Sequence, residues 1–317
     1  MTSIALWALR VGWLLLPLAA GPALGDALGG ASRPVQVVAS GGLWIGWVAG
    51  LVATLVARAS SLTLIRSAAP AALGAVAAAA VHGPTGVDDA VAVAAAIAVV
   101  AAAWWAPTAD AFVDGSSYGD ERRFLLRAPV SLLAGPVPIA WLLAVVVPSV
   151  AALLLAARVW VPGVLGAVIG AAGIRLGVPA LHRLSRRWLV LVPAGLVVHD
   201  HLALPDPILF RRASLGAVGV APKGSPDDVT LDHALDHALD HALDLTLGAA
   251  GLVVELELRE PTELPVVTGT GRNRQVATVV ARRALVVPAR PGAFLAAAEA
   301  HRLPPRRSDL PGPSRPA

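Results

Sequence analysis

The chain has 317 residues, of which 56% are hydrophobic and only 15% charged, with a mean hydropathy of +0.70, against roughly 45–50% apolar and about 25% charged in an ordinary soluble domain. A wholly soluble fold of this length could not hide so much apolar surface, so that class is excluded. The net charge of +4 is modest, and the isoelectric point near 10.8 reports arginines with few Lys, Tyr or Cys groups titrating below them, not a nucleic-acid surface. Cysteine is absent, which removes disulfides, thiol nucleophiles and Cys-ligated metals.

The apolar excess is uneven. Ala/Val/Leu/Gly runs fill the chain to about His182, and all nine Trp lie at or before Trp188. The sequence therefore divides into a transmembrane helical domain over 1–182, a β-rich domain over 187–302 and a Pro/Arg/Ser-rich, disordered tail over 303–317. A span needs about 20 predominantly apolar residues, and six segments qualify: 4–24, 37–57, 64–81, 91–107, 135–157 and 161–181. The first reads alternatively as a cleaved signal peptide ending near Ala23-Leu24-Gly25, although no basic residue precedes Arg10. Six spans with the N-terminus inside put Arg10, Arg58, Arg66, Arg122, Arg123, Arg127, Arg183, Arg186 and Arg187 on the inner side and only Arg33 and Arg158 outside. That asymmetry is what the positive-inside rule demands. It places the chain in the plasma membrane with its C-terminal domain cytoplasmic. Trp104, Trp105 and Trp188 fall near inner ends, and Trp160 near an outer end, as an aromatic belt would have them.

Inside the spans no Asp, Glu or His occupies a central position, which argues against a proton-coupled carrier or an intramembrane hydrolase. The glycines of Gly42-x-x-x-Gly46-x-x-x-Gly50, and Gly163, Gly166, Gly170 and Gly173, offer helix faces for close packing. Pro136, Pro138 and Pro148 kink the fifth span; a broken helix around a substrate is the other reading. Between the fourth and fifth spans, 108–127 reads as a polar loop. Asp114, Tyr118, Asp120 and Glu121 there are candidates for contact with a ligand or with the soluble domain. Arg122, Arg123, Arg127, Arg183, Arg186 and Arg187 are candidates for contact with anionic lipids of the inner leaflet, each worth about 1 kcal/mol near such a surface.

After the Arg183–Arg187 pivot the periodicity shortens. Strand candidates are 188–192, 196–200, 208–211, 217–221, 244–247, 252–258 and 276–287, the first two joined by Pro193-Ala194-Gly195 as a hairpin. Val254, Leu256 and Leu258 alternate with Glu255, Glu257 and Arg259, as in a half-buried strand. A helix opens at Pro291, carries Phe294, Leu295 and Ala298 on one face, and stops before Pro304. A low-complexity insert, 225–244, contains a repeated Leu-Asp-His-Ala unit and reads as dispensable over 231–243. On a helix its His233, His237 and His241 would stack at a metal-gripping spacing, the alternative to replication slippage in a surface loop. Gly269-Thr-Gly-Arg-Asn273 lacks the context of a phosphate loop and reads as a hairpin turn.

The run Arg187-Trp-Leu-Val-Leu-Val-Pro-Ala-Gly-Leu-Val-Val-His-Asp200 resembles the opening hairpin of bacterial PH-like domains, and Pro291-Gly-Ala-Phe-Leu295 the start of their closing helix. The whole chain is similar to uncharacterised multi-pass membrane proteins of actinobacteria that end in such a domain. The resemblance implies two packed sheets capped by a helix, and lipid, peptide or self-association roles. Lipid-binding PH domains carry basic residues in the first hairpin turn, whereas this turn is Pro-Ala-Gly. The expected function is a non-enzymatic membrane protein with a cytoplasmic interaction module, without catalytic residues, cofactor, metal or nucleic acid. A small-molecule transporter or its accessory subunit is the alternative, and a membrane-embedded enzyme a distant third.

Overall fold

A computed structural model describes residues 2–81, 86–222, 242–269 and 273–306. The chain forms two compact units, one of Met1–Ser117 with Val130–Arg186 and the other of Tyr118–Pro129 with Arg187–Ala317.

The first unit is helical: α1 (Thr2–Gly29), α2 (Arg33–Leu55), α3 (Ala59–Val81), α4 (Val87–Trp104), α5 (Ala106–Asp114), α6 (Val130–Ala134), α7 (Pro136–Trp141), α8 (Val147–Ala156) and α9 (Trp160–Leu184). Six helical stretches are long and apolar enough to cross a membrane: α1 from Ile4, α2, α3, α4, the run Pro136–Ala156 and α9. Large apolar side chains stand exposed along them, among them Leu18, Ile45 and Leu176, as lipid-facing positions must. The protein is therefore a multi-pass membrane protein with a soluble domain.

Local chemistry explains the helix ends. Pro34 sits in the first turn of α2, where a missing N–H costs nothing. The Gly86 N–H donates to the Asp89 carboxylate at 2.9 Å at the head of α4, where acidic groups also complement the helix dipole. The turn between α8 and α9 puts Arg158 in the left-handed region at φ 61°. Its N–H donates to Leu155 and that of Val159 to Leu154, a doubly bonded C-terminal cap.

The stretch expected to be a polar loop begins instead with α5, whose Ala109, Phe112 and Val113 are buried against α1, α3 and α4. The fifth span is irregular because prolines at 136, 138 and 148 remove backbone donors. Between α7 and α8 the chain widens into a π-helical turn over Leu142–Val146.

In the second unit, β1 (Arg122–Leu125), β2 (Trp188–Val192), β3 (Gly195–His199) and β4 (Ile208–Arg211) form an antiparallel sheet in that order. The second sheet runs β5 (Leu215–Val220), β7 (Val254–Thr268), β8 (Gln275–Val286) and β6 (Ala242–Asp244), with β6 parallel to β8. A single core joins both sheets to α10 (Pro291–Ala300) through Phe124, Leu191, Leu196, Phe210, Leu256 and Phe294. Phe124 and Phe294 meet edge to face at 5.5 Å. Gly195, at φ 152°, closes the β2–β3 hairpin where any Cβ would fall 2.1 Å from the Phe210 carbonyl oxygen, a place only glycine can take.

Three boundaries differ from the sequence reading. The domain begins upstream of Arg187, because Arg122–Leu125 pairs with β2 in the register Phe124↔Leu189 and Leu125↔Trp188. The insert 225–244 is not wholly outside the sheet, because Ala242, Leu243 and Asp244 form β6 and Leu243 is buried. The domain also extends past residue 302: Leu303 is a core residue, and Pro305 bridges Val218.

Candidate functional site

In the helical unit, polar side chains from the N-terminal halves of α1 and α3 meet the C-terminal ends of α2, α4 and α9. Arg10 Nε donates to the Thr54 carbonyl at 3.0 Å and its guanidinium lies 5.3 Å from the Trp7 ring. Arg66 likewise donates to Ala103 O at 3.4 Å and stacks on Trp104 at 4.8 Å. Each arginine thus meets C-terminal carbonyls of a neighbouring helix, a partner the dipole favours. Thr63 Oγ1 lies 3.0 Å from His182 Nδ1 and 3.0 Å from Ser185 Oγ, and also bonds the Ala59 carbonyl. That hydroxyl ties the first turn of α3 to the last of α9. The Thr63 hydroxyl is thus the partner of the Ser185 hydroxyl.

The broken fifth span is covered by the glycine face of α9. A Cβ at Gly173 would lie 2.3 Å from the Leu143 carbonyl oxygen, and one at Gly177 2.8 Å from that of Ala140. Trp141 Nε1 donates to Ser67 O at 3.0 Å. Backbone irregularity here is absorbed by helix packing. The glycine run of α2 behaves differently. Gly42 and Gly46 have nothing within 4 Å of a Cβ, whereas one at Gly50 would enter the Trp13 ring at 2.1 Å. Trp13 Nε1 donates to Trp47 O at 2.8 Å, and Trp47 Nε1 to Trp13 O at 2.9 Å. Only the Gly50 end of that expected groove is used between these helices, locked by two reciprocal indole bonds.

In the soluble unit two charged clusters stand out. Arg187, expected at the membrane surface, is instead an interior residue, with its side chain 1% exposed and that of Asp200 fully buried. Its Nε and Nη2 reach Asp200 Oδ1 and Oδ2 at 2.8 and 2.7 Å, and Nη1 donates to the Arg127 carbonyl at 2.9 Å. A charge so neutralised has little left to offer a lipid surface. Arg122 and Arg123 are strand residues of β1, with Arg123 paired to Glu121 at 3.2 Å. Arg127 is exposed and donates to Ala250 O. Arg183 and Arg186 are exposed at the end of the helical unit. Asp114 closes α5 and accepts the Ser117 hydroxyl at 3.0 Å, while Tyr118 and Asp120 are exposed in the short segment before β1. Trp188, expected in an interfacial belt, opens β2 and stacks flat on His199 at 4.7 Å.

The second cluster lies at the β5 edge of the second sheet, alongside residues 304–306. Glu255 points outward in the β7 alternation yet is buried. Arg306 covers it, with Nη1 2.9 Å from Glu255 Oε2, Nη2 3.1 Å from Oε1 and 3.7 Å from Glu257 Oε2. Sequence reasoning missed this pair because the Pro/Arg/Ser composition of the tail reads as disorder. His233, His237 and His241 lie outside the described residues. Among the described residues no group of three or more His, Asp or Glu is placed to hold a metal.

No protein-family model, curated protein or solved structure matches the chain.

Proposed function

We propose that this is a non-enzymatic plasma-membrane protein whose PH-like soluble domain lies in the cytoplasm and serves as an interaction module. The observation that carries the reading is the division of the first sheet. β1 follows the fourth candidate span and β2 the sixth, so both ends lie on one side of the membrane with an even number of crossings between them. Arginine counts then choose the side. With Arg122, Arg123, Arg127 and Arg187 assigned to the folded domain, Arg10, Arg58, Arg66, Arg183 and Arg186 remain at that side against Arg33 and Arg158 at the other. The bias survives, and it favours a cytoplasmic domain. Two packed sheets capped by a helix support the PH-like comparison, and that fold serves binding more readily than it dictates an activity. Of the six arginines expected as surface contacts, Arg183 and Arg186 keep the role best: exposed, one in the last turn of α9 and the other just after it, they suit anionic headgroups.

The absence of cysteine makes the test clean. Ser32→Cys and Asp206→Cys, both at exposed positions, introduce single thiols before α2 and in the soluble domain. An impermeant maleimide should label the Ser32→Cys variant in intact cells and the Asp206→Cys variant only after lysis. A thiol-anchored cross-linker should capture partners from position 206. Labelling of position 206 from outside would overturn the orientation; a domain that captures nothing in intact cells would overturn the module.

A further inference from the structure

The end of α10 is built to send the chain back across the domain. The Leu303 N–H donates to Ala298 O and the Arg302 N–H to Glu299 O, with Arg302 left-handed at φ 58°. That is the bond pair of a Schellman cap, and Leu303 supplies its apolar contact at 2% exposure. Pro304 and Pro305 then hold the backbone extended, and the segment runs parallel to β5. The Val218 N–H donates to Pro304 O at 2.8 Å, and the Arg306 N–H donates to Val218 O at 2.9 Å. Room for this comes from Gly219, where a Cβ would fall 2.5 Å from the Arg306 Cβ. At the end of the segment the Arg306 guanidinium meets a fully buried carboxylate, Glu255.

The segment does not fill its berth. Beside it lies an open cleft of about 420 Å³ between β5 and α10, lined by Val220, Leu295, Ala296, Glu299, Pro305 and Arg306. A sheet edge is a template for added strands, and here whatever lies along it also covers the Glu255 carboxylate, as Arg306 does. Covering Glu255 without a cation would be costly, so an occupant that lies over it must bring a basic side chain, as Arg306 does, and the edge does not accept any strand equally.

We propose that the β5 edge, the flank of α10 and Glu255 with Glu257 form a strand-addition site for an extended, arginine-bearing segment, and that Pro304–Arg306 occupies it as a displaceable latch. The inference deepens the reading of the domain as an interaction module and rests on it. Its occupant is the chain's own C-terminal segment, and a peptide copying that segment competes for the same place.

The test uses the full-length chain in nanodiscs and a fluorescent peptide copying residues 304–313. A variant ending at Leu303, which keeps the helix cap, should bind the peptide measurably. The intact chain should bind it about tenfold or more weaker, since the cis segment acts at high effective concentration. Glu255→Gln in the shortened chain, or Arg306→Ala in the peptide, should each weaken binding about tenfold or more, as loss of a charged pair predicts. No binding by a shortened chain that remains folded, or binding indifferent to both changes, would overturn the site. Should the shortened chain fail to fold, hydrogen exchange on intact Glu255→Gln decides the matter. Faster exchange at the Val218 and Arg306 amides with β7 and β8 still protected supports the latch, and unchanged exchange at those two amides refutes it. Failure here would leave the cysteine-labelling and cross-linking outcomes intact, so the two readings fall separately.

Discussion

Arg187 and Asp200 offer the sharpest test of how the soluble domain is held together. Arg187→Met would strip Asp200 of both charge-assisted bonds and leave the Arg127 carbonyl without its donor. Among the described residues the Asp200 carboxylate would keep only the Leu202 N–H at 3.0 Å. An exposed ion pair contributes about 0–1 kcal/mol. Breaking a buried one costs about 3–5 kcal/mol, because the surviving charge stays desolvated. With the pair 1% and 0% exposed, the larger figure applies, and it is a large share of the roughly 5–15 kcal/mol that holds a domain folded. Replacing both residues with apolar ones should recover most of the loss, less about 1 kcal/mol for the Leu202 bond. Pulse proteolysis of the membrane-embedded full chain across a urea series would follow the soluble unit. Singles that each cost under about 1 kcal/mol, or a double mutant whose loss equals their sum, would refute the account.

Phe124→Ala should destabilise the soluble unit by about 3–5 kcal/mol, although Phe124 belongs to a segment between two spans; the same proteolysis reads it, and no effect would remove β1 from the core. Gly50→Ala should lower the thermal stability of the helical unit in detergent by about 1–3 kcal/mol through overpacking against Trp13, while Gly46→Ala, with no neighbour within 4 Å, should leave it unchanged. Deleting 231–241 should spare the soluble unit's protease resistance, whereas Leu243→Asp should abolish it, because Leu243 is 6% exposed in the core beside β8.

The six spans are legible because a continuous apolar run of span length is the strongest signal a chain carries. The strands at 188–192 and 208–211 lie where the sequence places them, for the same local reasons of β-branched runs between turn residues. What escapes is short or depends on distant partners. β1 offers only Phe124-Leu125-Leu126 between charges, too few residues for a period of two to emerge, and its partner lies across two spans. The sequence puts a strand at 244–247, downstream of the observed Ala242–Asp244, because the repeat hides its start. Alternation correctly places Glu255 on the outward face of its strand, and outward there does not mean wet. Its burial comes from Arg306, which lies 51 residues away in a segment whose Pro/Arg composition resembles disorder.

The division of the first sheet also orders events in time. β1 leaves the ribosome before α7, α8 and α9, while its partner strand β2 follows α9. Until the fifth and sixth spans are inserted and β2 emerges, β1 has no strand to pair with. Its apolar Phe124 and Leu125 then stand next to α6, at the start of the next membrane segment. Long-range strand pairing of this kind is slow because the loop must close before contacts offset it. Here the bilayer does part of the closing, since two well-inserted spans return the chain to the side on which β1 waits. Membrane insertion and domain folding are therefore linked. A fault in the proline-interrupted fifth span would appear first as a soluble domain lacking its edge strand, with Arg187 deprived of the Arg127 carbonyl that anchors it.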